Sequence, residues 1–273
     1  MVRSLWTAAT GMNAQQTNVD TIANNLANVN TVGYKAQVAE FKSLLYQTLQ
    51  TATTTANGEA KPTSSQVGLG VRTSSINSLF GQGSLLSSES DTSFAIEGEG
   101  FFAVRGEDGE TYYTRNGDFT WATNGRNGMM LTNQDGLPVL NSRGQAITLN
   151  NTYVTSRITI TGDGTICYPD AQNNPQPIPG MNIGMYQFNN PGGLERAGDT
   201  LWQVTEASGA VLNEATNNNV KKSKMVQGYL EGSNVQVADE MVNLIVAQRA
   251  YEMNSKAITT TDDMMQTANN LKR

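Results

Sequence analysis

The chain has 273 residues, one cysteine and no histidine, and its formal net charge at pH 7 is −6. One cysteine cannot form an internal disulfide, and the lack of histidine removes the commonest general base and metal ligand. The acidic charge lies in residues 51–220, which hold eight bases and sixteen acids. Without a basic stripe or a run of about 20 apolar residues, neither nucleic-acid binding nor membrane insertion is predicted.

The first predicted element is a long helix. Apolar residues recur along it at alternating spacings of three and four residues, as on one face of a coiled-coil helix. Gly33 supplies a helix stop, and a second short apolar run follows from Val38 to Leu49. We therefore predict an N-terminal helical polymerisation segment at residues 1–45. Its predicted subunit-interface residues are Leu5, Met12, Val19, Ile22, Leu26 and Val29.

Residues 46–92 are predicted to be a connecting arm. The stretch 51–66 is rich in Thr and Ser, has no apolar periodicity, and carries Asn57-Gly58 and Pro62. Such a segment should be flexible when it has no partner. The sequence leaves two alternatives open: a disordered linker, or an extended arm that lies along a neighbouring molecule.

Residues 93–220 are predicted to form a central antiparallel β domain. Asn-Gly pairs begin at residues 116, 124 and 127, and Asp-Gly pairs begin at residues 108, 135 and 163. These dipeptides favour the tight turns of β-hairpins. Short apolar and aromatic runs such as Phe101–Val104 lie between them. Frequent turns between short strands are typical of a sandwich or an irregular barrel.

The last element, residues 221–273, is predicted to be a second helical polymerisation segment. Gly232 and Asn234 mark its start, with Asn234 or Ser233 as the N-cap. Its predicted subunit-interface residues are Met241, Leu244, Tyr251, Ile258, Met265 and Leu271. A second stripe of small or apolar residues runs beside the first and contributes Leu271. Its other members are Ala247, Ala250, Ala257, Met264 and Ala268, so the apolar face is broader than a two-stranded seam needs.

Two long helices at opposite ends of the chain allow two interpretations. They could pack on the chain's own β domain, or they could pack on each other and on neighbouring subunits. The second is favoured, because an isolated helix pair of this kind would leave apolar surface exposed. The predicted fold class is α+β, with long terminal helices paired as a coiled-coil-like polymerisation domain, a central antiparallel β domain and an extended connecting arm.

The sequence predicts no catalytic residue, no cofactor and no metal site. It contains no phosphate-binding loop, and a serine nucleophile would have no histidine partner. Acidic residues cluster between Glu97 and Glu110, and paired carboxylates in a cleft can hydrolyse glycosides. A secreted β-rich hydrolase is therefore the alternative from a different class of function.

Several runs of sequence resemble the flagellar axial family, which comprises rod and hook subunits. They are NNLANVNTVGYK at 24–35, IEGEGFFAV at 96–104, YTRNGDF at 113–119 and the stretch 228–265. The motif and turn residues of the first run are Asn24, Asn25, Asn28, Gly33 and Tyr34. RSLWTAATGM near the start and FKSLLYQTL at 41–49 most resemble the distal-rod branch. A hook or proximal-rod subunit is the near alternative.

The resemblance implies a structural subunit of the basal body, in the rod that spans the periplasm, exported without a cleaved signal peptide. Such a subunit would polymerise with itself into a straight, stiff, hollow tube that transmits motor torque to the hook and carries export cargo. The implied partners are further copies of the chain, other rod proteins and hook subunits, outer-ring (bushing) proteins and the type III export apparatus.

Overall fold

The computed structural model describes residues 2–50, 65–125, 128–150, 153–170, 172–217 and 219–271. Most of the predicted Thr/Ser-rich stretch at 51–66 therefore lies outside the described residues, as does Asn127 of one predicted turn. The chain forms two compact units, and both are discontinuous in sequence. The helical unit contains residues 1–27, 37–78 and 236–273, and the β unit contains residues 28–36 and 79–235.

The helical unit is built on two long helices and two small antiparallel sheets. Its elements are α1 (Val2–Ala27), β1 (Gln37–Ser43), β2 (Tyr46–Gln50), β3 (Ser65–Gly68), β4 (Val71–Ser78) and α2 (Val237–Asn270). Strand β1 pairs with β4, and β2 pairs with β3. Asp239 and Glu240 lie in the first turn of α2, where negative charge favours the positive end of the helix dipole.

The β unit contains sixteen short strands and three short 3₁₀ turns among the described residues. The strands are β5 (Leu85–Ser87), β6 (Phe94–Glu97), β7 (Phe101–Arg105), β8 (Thr111–Thr114), β9 (Thr120–Thr123), β10 (Gly128–Thr132), β11 (Thr148–Asn150), β12 (Thr159–Ile160), β13 (Thr165–Pro169), β14 (Pro175–Asn182), β15 (Met185–Phe188), β16 (Glu195–Gly198), β17 (Leu201–Gln203), β18 (Val211–Asn213), β19 (Lys224–Gln227) and β20 (Tyr229–Glu231).

The largest sheet has six strands in the order β16-β17-β8-β7-β15-β18. Two three-stranded sheets have the orders β11-β10-β9 and β12-β13-β14. Strand β19 pairs with β6, and β20 pairs with β5. Every strand pairing within the described residues is antiparallel.

Strand β7 is the centre of the β unit because both of its faces are covered. Successive side chains of a strand point to opposite faces. Phe101 and Ala103 accordingly join one aromatic cluster, which includes Tyr113 and Trp202. Phe102 and Val104 join a second, larger apolar cluster on the other face. The sheet is therefore held between two apolar cores, which makes the β unit a rigid body.

The structure confirms the α+β class, with helices at both ends and a central antiparallel β domain. Most of the predicted turn dipeptides behave as expected: Gly109, Gly125, Gly136 and Gly164 all have φ between +62° and +83°. Gly117 is different, because it is not among the residues with positive φ. It is needed for space instead, since a Cβ there would overlap the Phe94 carbonyl oxygen.

The N-terminal segment, predicted to be helical over residues 1–45, is only partly helical, because α1 ends at Ala27. The apolar run after Gly33 forms strands β1 and β2. Along the first five residues of β1 the side chains alternate between half-buried and exposed, which is a strand period rather than a helical one. The division of the sequence into four segments describes how each segment would behave on assembly, and it stays a prediction. Coiled-coil pairing of the helices also stays a prediction.

Candidate functional site

The helical unit joins the two ends of the chain, because α1 and α2 pack side by side in opposite directions. Near one end of the pair, the Asn25 side-chain amide donates to Glu240 Oε1 at 3.1 Å. Near the other end, Gly11 lies so close to Asn254 that a Cβ added to it would be 2.9 Å from Asn254 Nδ2. Moving 14 residues back along α1 thus moves the partner 14 residues forward along α2. The pair is antiparallel.

The seam between the helices is made from small and polar residues as much as from large apolar ones. Ala8, Ala14 and Ile22 are buried on α1, and Ala247 is the only buried residue that the structure describes on α2. Small side chains allow close backbone approach, while Glu240 and Asn254 add polar contacts. Such a seam buries little apolar surface.

The predicted interface residues divide between this seam and the outside of the pair. On α1, Ile22 is buried and the others are half-buried: Leu5, Met12, Val19 and Leu26. On α2, Leu244, Ile258 and Met265 are half-buried. Met241, Tyr251 and Leu271 stay exposed, by 52%, 42% and 82% respectively. The predicted set is therefore not one continuous stripe in the single chain.

Val29 is a correction to the predicted helical stripe. The chain turns after Ala27, so Val29 lies outside α1 and belongs to the β unit. There it packs against a small cluster of Tyr34, Ala36 and Val235. The three-four spacing continued past the end of the helix by coincidence, because periodicity does not mark where a helix stops.

The exposed face of α2 carries an apolar stripe, called here the outer stripe, that sequence reasoning did not identify as one continuous set. It comprises Val242, Val246, Met253 and Met264 on α2 and Leu271 directly after its last residue, and these side chains are between 57% and 82% exposed. Their spacings of 4, 7 or 11 residues are close to whole turns of an α-helix, so they share one face. Only Met264 and Leu271 belonged to the predicted second stripe, because the seam register on α2 passes through the polar residues Glu240 and Asn254.

The run at residues 24–35 is called here the Asn-rich motif. Its first part, at the end of α1, holds the start of the next segment of the helical unit in place. The Asn25 side chain accepts from Gln37 N at 2.8 Å and donates to Gln37 O at 2.8 Å. Its neighbour Asn24 donates to Gln37 Oε1 at 3.0 Å. These bonds satisfy backbone groups at the start of β1 and tie that strand to the end of α1.

The second part of the motif lies in the β unit. Thr31 donates to Asn28 through both its backbone N–H and its hydroxyl, at 3.1 Å each. Gly33 has a φ of +70°, and a Cβ there would be 2.6 Å from Asn116 N. Tyr34 is buried, and the Arg196 guanidinium lies 4.9 Å from its ring centroid. The motif thus anchors this short segment to the β unit.

Beside the motif lies a buried charge cluster formed by Lys35, Arg115 and Glu231. Lys35 Nζ is 2.6 Å from Glu231 Oε1, and Arg115 Nη1 is 3.2 Å from Glu231 Oε2. Both cations also donate to backbone carbonyls, Lys35 to Gly81 and Arg115 to Gly98, at 2.8 Å. Burial lowers the pKa of Lys35, and the Glu231 carboxylate opposes that shift. One carboxylate therefore holds two buried cations.

The described part of the chain offers no constellation for metal chemistry or membrane insertion. None of its groups of Cys, Asp or Glu residues is arranged to hold a metal ion. None of the helices described is long and apolar enough to cross a bilayer.

Three family models match separate parts of the chain. The flagella basal body rod protein model matches residues 5–35, which cover most of α1 and the Asn-rich motif. The flagellar hook protein FlgE/F/G D1 domain model matches residues 95–168 in the β unit. The model of the C-terminal part of the flagellar basal body rod FlgEFG proteins matches residues 226–271, which include α2.

Curated relatives match over their whole lengths. The chain is 43% identical to the flagellar basal-body rod protein FlgG of Borreliella burgdorferi, over 100% of both chains. It is 41% identical to the FlgG of Caulobacter vibrioides, over 99% of this chain and 100% of the relative. It is 35% identical to the FlgG of Bacillus subtilis, again over 100% of both chains. The chain belongs to the flagellar basal-body rod protein family, as a structural protein of the basal body and not an enzyme.

Proposed function

We propose that the chain is a subunit of the distal rod, and that it polymerises with itself through the paired terminal helices. The helices would join those of neighbouring copies in a coiled-coil-like tube wall. The resulting tube would be straight, stiff and hollow, transmitting motor torque to the hook and carrying export cargo. Its proposed partners are other rod proteins and hook subunits, the outer-ring proteins and the type III export apparatus.

The observation that carries this proposal is the exposed outer stripe on α2. Its five apolar side chains lie in water in the single chain, although soluble monomers rarely expose large continuous apolar patches. An open groove of about 390 Å³ near Val19 and Tyr251 adds further apolar surface to the helix pair. Burying such surface against other copies would stabilise a polymer at about 25 cal/mol per Å² of apolar area.

The connecting arm is proposed to bridge adjacent subunits and to stiffen the tube. Support comes from the described part of the arm and the residue before it. Leu45, Tyr46 and Leu49 are between 55% and 85% exposed. Exposed apolar side chains on and beside strand β2 favour a neighbouring surface over a purely solvated linker.

The family assignment bears on the two alternatives in different ways. The alternative of a secreted β-rich hydrolase is wrong, because the chain is a structural rod protein. A hook or proximal-rod subunit belongs to the same structural class. The FlgG names of the full-length relatives favour the distal rod.

The test places charge on the outer stripe of the full-length chain. We expect Val246→Asp with Met253→Asp to abolish rod formation, seen by sedimentation and negative-stain electron microscopy at high protein concentration. Both positions are more than 60% exposed, so the helical circular dichroism of the dilute chain should not change. The matched control is Thr259→Asp with Gln266→Asp, two exposed polar positions that are also seven residues apart but lie on a different face of α2. Normal rods from the Val246/Met253 variant would contradict the proposal.

A further inference from the structure

The β unit has an uneven distribution of charge. Its two segments, residues 28–36 and 79–235, contain sixteen acidic and ten basic residues, a net charge of −6. Three of the ten bases are Lys221, Lys222 and Lys224, and three of the acids lie at residues 107, 108 and 110. Two copies brought together in a polymer would repel each other, unless clusters of opposite sign were to meet.

The acidic cluster is held on a rigid support, called here the acidic tip, between β7 and β8. Gly106 N donates to Glu110 O at 2.8 Å, and Gly109 turns the chain with a φ of +83°. Tyr112 donates its hydroxyl proton to Asp108 Oδ2 at 2.8 Å. Among the described residues, the carboxylates of Glu107, Asp108 and Glu110 form no ion pair.

The three lysines line a cleft of about 440 Å³, called here the lysine cleft, together with Gln82, Glu97 and Glu99. All three lysines are exposed, and none is in an ion pair with any part of the chain that the structure describes. Arg115 lies behind the cleft wall and donates to the carbonyl of Gly98, a lining residue, at 2.8 Å. Even with its two carboxylates, the cleft is a net positive site in a net negative body.

The acidic tip and the lysine cleft lie at opposite ends of strand β7. Glu97 and Glu99 precede Phe101, and the acidic tip follows Arg105. A strand of five residues is about 17 Å long, so the two sites of one copy do not meet. Two different complementary sites on one rigid body give a head-to-tail contact, which generates rings or open helical polymers instead of closed dimers.

We infer that the lysine cleft of one copy receives the acidic tip of a second copy. This inference rests on the proposed polymerisation and adds a contact between β units to that of the helices. Exposed ion pairs each contribute only about 0–1 kcal/mol. The contact therefore sets the orientation and register of neighbouring β units more than it sets their affinity.

Zero-length carbodiimide cross-linking tests the contact directly, because it joins a lysine amine only to a carboxylate that it touches. Rods would be assembled from equal amounts of isotopically light and heavy full-length chains. We expect mixed-isotope cross-links between peptides containing Lys221 or Lys222 and peptides containing Glu107 or Glu110. Rods that yield no such mixed product would overturn the inference while leaving the proposed polymerisation intact.

Charge exchange tests whether the contact matters for assembly. We expect Lys221→Glu with Lys222→Glu, and separately Glu107→Lys with Glu110→Lys, each to raise the concentration needed for assembly by about ten-fold. The combined four-fold variant should return to within about three-fold of the native value, because opposite charges meet again. Asp108 and Lys224 are spared, since Asp108 accepts from Tyr112 and Lys224 lies in a strand opposite Glu97.

The control reverses two exposed charges on other turns, Asp135→Lys with Arg143→Glu, and should assemble normally. If the native chain itself forms no rods, the proposed function fails. If the native chain and both single-cluster variants form rods at the same concentration, only the contact between β units fails. If both single-cluster variants assemble poorly and the combined variant does not recover assembly, that result also counts against the pairing of the acidic tip with the lysine cleft.

Discussion

The two units of the molecule use polar and apolar side chains in opposite ways. Strand β7 of the β unit buries four of its five residues, whereas the 34 residues of α2 include a single buried one, Ala247. The β unit even buries charge, in the cluster of Lys35, Arg115 and Glu231. A unit that buries its apolar side chains against one another needs no partner to cover its core, whereas one with an exposed apolar stripe requires a partner.

The largest expected loss of stability in the β unit comes from changing its buried charge cluster. Glu231→Gln leaves two buried cations without a counter-ion, and we expect it to cost about 3–5 kcal/mol of unfolding free energy. Lys35→Met leaves a neutral Arg115–Glu231 pair and should cost less, about 1–3 kcal/mol. Urea unfolding followed by near-ultraviolet circular dichroism measures both.

The exposed pair Arg249–Glu252 on α2 is the control for that experiment. Its side chains are 73% and 62% exposed, so Glu252→Gln should change the stability by less than about 0.5 kcal/mol. Equal losses for Glu231→Gln and Lys35→Met would show that the net charge of the cluster does not determine its stability.

A second, smaller effect is expected at the turn that anchors the motif to the β unit. Gly33→Ala introduces a Cβ at a φ of +70° and within 2.8 Å of backbone atoms of Arg115 and Asn116, and should cost roughly 3 kcal/mol. Gly136 has a φ of +83° with no atom within 4 Å of an added Cβ, so Gly136→Ala should cost only about 1 kcal/mol of backbone strain. Thermal unfolding measures the stability of both variants. Similar losses of unfolding free energy would mean that the turn at Gly33 can relax.

The smallest effect separates the two faces of α2. Leu244 is half-buried in the seam, and Leu244→Ala should cost about 1–2 kcal/mol in the dilute chain. Val246 is 62% exposed, and Val246→Ala should change the stability of the dilute chain by less than about 0.5 kcal/mol. The helical circular dichroism signal on heating measures both. A loss at Val246 as large as that at Leu244 would mean that the outer stripe is already covered within one copy.

The amount that the sequence predicted differs between the units for a physical reason. In the β unit the short apolar runs and the Asn-Gly and Asp-Gly turns between them act over a few residues, so a single sequence shows them. In the helical unit the register of the seam depends on which residues of a distant segment lie opposite. Glu240 and Asn254 lie in that seam because of Asn25 and Gly11, and no local pattern contains that information.

The sequence by itself determined the long helices at both ends, the turn at Gly33 and the short strands between turns of the β unit, because these follow from local backbone preferences and side-chain periodicity. Only the tertiary structure decided which face of α2 meets α1 and which face stays exposed. It alone brought together Lys35, Arg115 and Glu231, which are far apart along the chain. Burial of charge is a property of the whole packing arrangement, since each charged group requires a partner supplied by another segment.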